Sequence, residues 1–576
     1  MKIRGTRFAI LAGLTMLLTL MVAAAQAAAP AVSFNWTVDG KEISVRLFEK
    51  KKDQNLFLFV PGALKGKDPV VVIDGKADLI WGEETYTSGS VFPAEKYLDQ
   101  PVEVRLTNGQ RKYKVTVMEG SPIPAMFFTV DSNDLRRVSN QYKRINKNKV
   151  DIKEDAGMVM LAGDGNVSAA EKITSFKAHG NSTFFANKKP YQFKTEHKVD
   201  LVGTEKNKTW ILMANWFDIS LIRNQITFDL CREIGLASTP DCRQVEFYIN
   251  GNYYGTYLLV EKIQLKKGRV EISDLEEQLE ELNGRDKYDN AKWKQASGKG
   301  ICKIMNWFNI AEEPEDVTGG YLLEIEKPLH FSLMEDCAGL VTDKSMCVVI
   351  KEPTHAGRKE VEYVAGLMND FHNAVLRKDG ISPKSGKHYS EYIDMRSFAL
   401  KMAVEEFSAN YDVRAASQFM YKDKDSVDSK IYAGPGWDYD LTYGVKDDGM
   451  HNPLKENFIL TRASNDGYLY HWLMTHDDFK SITRMLYEEV FLPAAEVLAG
   501  RREPKAGSPL KPAAAYQDEI RESAAMNFTR WSAKAIPDVW DKSGRTFEDS
   551  GAFVINWIDQ RLDLMTEKWL VGEEKK

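Results

Sequence analysis

The 576 residues predict an α+β protein: an N-terminal β-sandwich, then a larger unit that begins strand-rich and ends helical. Three observations carry this. Residues 31–118 are short alternating or β-branched runs separated by turn pairs such as Asp39-Gly40, Asp74-Gly75 and Asn108-Gly109. Residues 125–350 add further strand runs around one helical pattern, and beyond residue 361 apolar residues recur at the helical period. At roughly 100 to 200 residues per domain the length calls for two or more units. With 43% hydrophobic and 28% charged residues, the composition supplies an ordinary globular core.

Taken in order, Lys2, Arg4 and Arg7 precede an apolar run over 8–25 and the small-residue zone around Ala25-Gln26-Ala27, the pattern of a secretory signal peptide over 1–27. No later segment is long and apolar enough to span a membrane, so an exported protein with no stable membrane span after signal cleavage is expected: periplasmic, cell-surface or extracellular. The formal charge of −6 becomes −9 without the three leader cations, which argues against nucleic acid as a partner. The five cysteines lie between Cys231 and Cys347; the pairs Cys231/Cys242 and Cys337/Cys347 could close short loops, and no CxxC or His/Cys cluster suggests zinc.

The sandwich strands are expected near 32–36, 42–47, 55–60, 70–73, 102–106 and 113–117. The prolines of 119–124 suggest an extended linker, and the larger unit then runs over 125–576. Within it, alternation over 191–194 puts Tyr191 and Phe193 on one face and Lys194 on the other, where a lysine could meet phosphate. A strand over 209–213 and a helix over about 219–234 follow. The clearest hairpin pairs 244–249 with 252–260 across Asn250-Gly251, a pair suited to a type I′ turn, with Glu261 at its end. Residues 273–300 read as helix plus exposed loop, 319–326 and 347–350 as strands. Helices are expected over 361–376, 393–407, 468–474, 479–498 and 553–569.

The stretch 408–444 places Asp412 in a polar loop after a helix, then a short hairpin, then Asp438 and Asp440 ahead of Gly444. Two carboxylate stations of this kind suit metal-assisted phosphoryl transfer, one orienting a hydroxyl and the other holding a cation against phosphates. Asp and Gly are also ordinary turn residues. Read as a strand, Asp438 and Asp440 would share a face, which suits joint metal ligation better than the flanking of a glycosidic bond.

Together these pieces resemble the CotH-kinase family of atypical, secreted kinases. The resemblance rests on His179-Gly-Asn-Ser-Thr183, Lys188-Lys-Pro-Tyr-Gln-Phe-Lys194, Asp218-Ile-Ser-Leu-Ile-Arg-Asn224, the 248–257 hairpin with Glu261, Gly319-Gly-Tyr-Leu-Leu-Glu324, Asn410-Tyr-Asp412 and 437–444, in that order. The family usually has Arg where this chain has His179. The resemblance implies an atypical kinase-like two-lobed domain with a helical C-terminal lobe, using ATP with Mg²⁺ or Mn²⁺ to phosphorylate Ser/Thr hydroxyls of a protein substrate. It implies Asp412 as catalytic base, Lys194 and, less strongly, Glu261 on the nucleotide side, and Asp438 and Asp440 as metal ligands. By analogy with protein kinases an acid near the next helix should pair with the lysine, Asp218, Asp229 and Glu233 being the candidates. No G-x-G-x-x-G-x-V loop, H-R-D or D-F-G triplet is present, so an ordinary protein kinase is excluded. The alternative is a non-catalytic cell-surface or scaffold protein that keeps a kinase-like fold.

Overall fold

The computed structural model describes residues 31–50, 55–139, 156–180, 183, 186–327, 331, 337–412, 416–446, 451–454, 469–537 and 541–571. The expected leader, 1–27, lies outside them, as do Asn181 and Ser182. The architecture is α+β. A three-stranded sheet (Lys41–Arg46, Val32–Val38, Val70–Ile73) faces a six-stranded one ordered Phe48–Lys50, Asn55–Val60, Tyr113–Glu119, Val102–Leu106, Leu79–Trp81, Glu84–Tyr86. Alternation decides which side chains meet between them: in Val32–Val38 the residues Val32, Phe34, Trp36 and Val38 are buried and those between are more exposed. Phe34 meets Trp81 edge-on, ring centroids 6.1 Å apart.

The next seven strands close into a barrel, ordered Ala125–Thr129, Gly157–Leu161, Val167–Ala178, Tyr191–Val199, Asn207–Met213, Asn252–Glu261, Cys242–Ile249. The last pairs in parallel with the first. Aromatic residues at alternate positions fill its interior, with Phe128, Phe176, Tyr191, Phe193, Phe247 and Tyr257 in one cluster. The Asn250-Gly251 turn has the expected positive φ at both residues, +50° and +77°. The outer-face residues Ile211, Met213, Leu258 and Val260 belong instead to the large core beneath.

That core lies between the barrel, a seven-stranded antiparallel sheet and the helices. The sheet order is Lys292–Ser297, Ile304–Asn309, Ala338–Val341, Cys347–Glu352, Tyr321–Glu326, Gln418–Lys422, Ile431–Ala433. The first of these corrects the expected loop. Lys292–Ser297 is an edge strand whose residues are mostly exposed, so it carries no apolar alternation to read. The helices Arg358–Val375, Met395–Ser408, Asp477–Leu486 and Phe547–Thr566 pack on this core, and Ala513–Glu519 and Arg521–Arg530 add two that periodicity did not reveal. Among the described residues no helix is long and apolar enough to cross a membrane.

Residues 119–124 do more than connect. Ser121 is buried; its N–H donates to Ser523 Oγ (2.9 Å) and its hydroxyl to Glu522 (2.8 Å). A Cβ on Gly120 would lie 1.6 Å from Glu246 Oε1, so only glycine lets the chain pass this carboxyl. Glu246, on the barrel, accepts the Gly62 N–H (3.1 Å) and the Ser523 hydroxyl (2.7 Å), tying sandwich, barrel and helix Arg521–Arg530 together. An extended connection expected from Pro122 and Pro124 is therefore a packed seam.

Cys231, Cys242, Cys302 and Cys347 are free thiols. Cys347 stands opposite Val341, whereas Cys337 precedes Ala338, whose partner is Ile350. The strand pairing thus holds Cys337 and Cys347 several residues apart along the ladder, too far for a bridge.

Candidate active site

Helix Met395–Ser408 starts at Asp394, whose side chain accepts the Ser397 N–H, and stops at Ala409, which takes a left-handed φ of +47°. The chain then enters the acidic loop. Two backbone hydrogen bonds zip this loop to the one after Gly436: Tyr443 N–H to the Ser408 carbonyl (2.7 Å) and Tyr411 N–H to the Leu441 carbonyl (3.1 Å). Asp412 is brought beside Asp438 and Asp440 by that pairing. Buried Glu405, on the last turn of the helix, accepts from Asn410 Nδ2 (2.8 Å), and Asn410 Oδ1 accepts the Asp412 N–H (3.0 Å).

The second loop is held from the opposite side by the segment that starts at Asp218. Asp218 accepts the N–H groups of Ser220 (2.9 Å) and Arg223 (3.0 Å), which bends 218–222 into turns and delays the helix to Arg223–Glu233 rather than the expected 219. Arg223 pairs with Asp218 and donates through Nε to the Thr442 carbonyl (3.0 Å); both members of the pair are fully buried. Asn224 Oδ1 accepts the Tyr439 N–H (2.7 Å). Asp438 has a φ of +66°, so 437–444 is a turning loop, not a strand on which Asp438 and Asp440 would share a face.

Electrostatics mark this place out. Burial, then the charge of Asp412, pushes Asp438 up to about 7, against a hydrogen bond from Ser417 Oγ (3.0 Å) that favours its ionised form. Asp440 is raised by burial and by Asp438, Asp412 and Asp218. Lys327 Nζ pairs with Asp412 at 3.0 Å, and its charge also acts on Asp438. Glu324 accepts the Ser417 N–H (3.2 Å) and pairs with Lys351 (2.9 Å). Ser417 itself has a φ of +57°. A concentration of carboxylates that raise one another's proton affinity is a natural host for a hard divalent cation with oxygen ligands. Among the described residues no group of three or more His, Cys, Asp or Glu side chains is arranged to hold a metal ion by itself.

The structure thus gathers Asp412, Asp438 and Asp440, and it does not place the other two expected residues among the charges acting most strongly on them. Lys194 is exposed, opposite Ser175 and Thr209 on the barrel's outer face, which also carries Lys177. Burial lowers the proton affinity of Lys262; the charge of Glu352 opposes this and those of Lys177 and Lys351 add to it, so lysines and a glutamate gather where the barrel meets the sheet. Glu261 is buried in an ion pair with Arg269 (3.6 Å) and accepts the Asp241 N–H (3.1 Å). Of the three acids proposed to pair with a lysine, Asp229 binds Arg232 and Tyr516, and Glu233 binds Lys505 and Ser508. Asp218 is the one whose charge reaches both Lys188 and Asp440. Lys188, which feels that charge, is fully buried, donates to the Thr256 carbonyl and lies 4.6 Å from the Tyr257 ring centroid. Sequence reasoning passed over Lys327, whose signal was only its place directly after the 319–326 strand.

Residues 176–565 match a family model described as CotH kinase protein. No curated protein matches the chain. The match covers more than half of the chain and includes Asp218, Lys327, Asp412, Asp438 and Asp440, and on it the protein belongs to the CotH kinase family.

Proposed function

We propose that this protein is an exported atypical kinase that transfers the γ-phosphate of ATP to Ser or Thr hydroxyls of a protein substrate, with Mg²⁺ or Mn²⁺ as cofactor. The reading divides the chain into a signal peptide (1–27), a β-sandwich (31–118), a connecting segment (119–124) and a kinase-like unit (125–576). In that unit the barrel and the sheet-plus-helix portion act as two lobes. The observation that carries it is the meeting of Asp412, Asp438 and Asp440, with Lys327 on Asp412. Asp412, partly exposed, is the base that orients the acceptor hydroxyl and takes its proton. Asp438 and Asp440 would hold the cation, and Lys194 with its neighbour Lys177 on the barrel's outer face would take the phosphates. A divalent cation bound there supplies charge neutralisation for the phosphoryl group as the bond to the leaving oxygen lengthens.

Thermal unfolding of the purified protein with Mn²⁺ and ATP tests this. A ligand that binds only the folded state, at a hundred times its Kd, adds about 2.7 kcal/mol of stability. The expected result is a rise in Tm that needs both metal and nucleotide and is lost in Asp438→Asn. No rise at millimolar ATP with metal would contradict it and favour a binding or scaffold role.

A further inference from the structure

Beyond the residues expected from the sequence, one lysine stands against the reacting groups. Lys327 follows the strand Tyr321–Glu326, and its Nζ is 3.0 Å from Asp412 Oδ1. Its position is set from behind: Glu324, three residues earlier, is fixed by the Ser417 N–H and by Lys351, and Ser417 in turn donates to Asp438 Oδ2. One short section of sheet therefore sets the spacing between this lysine, the candidate base and the candidate metal ligand. Both members of the Lys327–Asp412 pair keep access to solvent, with side chains 34% and 18% exposed. Other lysines are held elsewhere: Lys188 is fully buried against Tyr257 and the Thr256 carbonyl, and Lys351 is paired with Glu324.

We propose that Lys327 is a catalytic residue that binds the phosphoryl group being transferred. The inference rests on the kinase reading above. In the step, the acceptor hydroxyl oxygen forms a bond to the γ-phosphorus while the bond from that phosphorus to the β–γ bridging oxygen breaks. ADP leaves with the electron pair, and the hydroxyl proton passes to Asp412. The Lys327 ammonium carries three donors, so it can hold a non-bridging γ-oxygen while still holding Asp412 in place. A cation between two anionic groups offsets their repulsion as they approach.

The test compares binding of ADP with that of the β,γ-imido analogue of ATP, each with Mn²⁺, to the full-length mature protein, by calorimetry. A charge-assisted hydrogen bond to the γ-phosphate makes the wild type prefer the triphosphate by roughly tenfold. In Lys327→Met that preference falls to within about twofold while ADP affinity is kept, and Lys327→Arg, which retains a cation, recovers part of it. Lys327→Gln is the second variant should Lys327→Met fold poorly. A triphosphate preference that survives in the Met and Gln variants overturns the assignment. Equal binding of both nucleotides by the wild type also overturns it, leaving the nucleotide-binding reading intact. Binding of neither nucleotide defeats that reading and this inference with it.

Discussion

Asn224 Oδ1 accepts the backbone N–H of Tyr439 at 2.7 Å, so a side chain on the helix Arg223–Glu233 fastens the peptide between Asp438 and Asp440. The same asparagine donates through Nδ2 to Asn215 Oδ1 (3.0 Å), and the Tyr439 ring is held at its far end by Lys401 (3.0 Å) and Glu405 (3.2 Å). The spacing of the two aspartates is thus set from both sides of the loop.

Replacing Asn224 with Ala leaves the Tyr439 N–H and Asn215 Oδ1 buried without this partner. The expected cost is about 1–3 kcal/mol, read as a lower urea midpoint at unchanged m-value. Loss of phosphoryl transfer should exceed what the lost stability explains, because the metal-side carboxylates are no longer fixed.

A larger effect is expected at Arg223. Arg223→Met leaves Asp218 charged and buried, and breaking such a pair costs about 3–5 kcal/mol. Equilibrium urea unfolding measures it. The double variant Arg223→Met/Asp218→Asn, which removes the orphaned charge, should recover part of the loss.

Two glycines make opposite predictions. Gly120→Ala pushes a methyl into Glu246 and should destabilise by about 1–3 kcal/mol. Gly366, in helix Arg358–Val375, has nothing within 4 Å of a built Cβ, so Gly366→Ala should stabilise by about 0.5–1 kcal/mol. Paired thermal melts decide both.

The seam at Glu246 predicts a pH dependence. Burial, with a smaller contribution from Glu119, raises this carboxyl to about 8, against hydrogen bonds from Ser523, Gly62 and Tyr248 that favour ionisation. The folded state therefore holds a proton that the unfolded chain releases near its ordinary value of 4.5. The resulting stability is complete below that value and is lost as pH rises toward 8. Urea midpoints of wild type should fall between pH 5 and 8, and those of Glu246→Gln should fall less. Equal slopes would reject the assignment.

How much of this was readable follows from where each signal lies. The sandwich strands and the Asn250-Gly251 hairpin could be read because alternation and turn chemistry are local. Asp412, Asp438 and Asp440 could be chosen from their order along the chain. Their meeting depends on Tyr411–Leu441 and Tyr443–Ser408 pairings that no local pattern encodes. Lys194 was chosen because it alternates off an apolar strand, and the same rule describes its neighbour Lys177. The surroundings of Lys188 and Lys327 are set by groups distant in sequence: the charge of Asp218 acts on the first, and Asp412 accepts from the second. Pro122 and Pro124 suggested an extended linker, while the burial of Ser121 depends on Ser523, some four hundred residues away.

The most direct test of the central claim is transfer of label from γ-labelled ATP, with Mn²⁺, to the chain itself and to a Ser/Thr-rich protein acceptor. The wild type should incorporate label on Ser or Thr, and Asp412→Asn and Asp438→Asn should each reduce the rate by at least about a hundredfold, in line with the loss of a general base or of charge stabilisation. Equal labelling by wild type and both variants would contradict it.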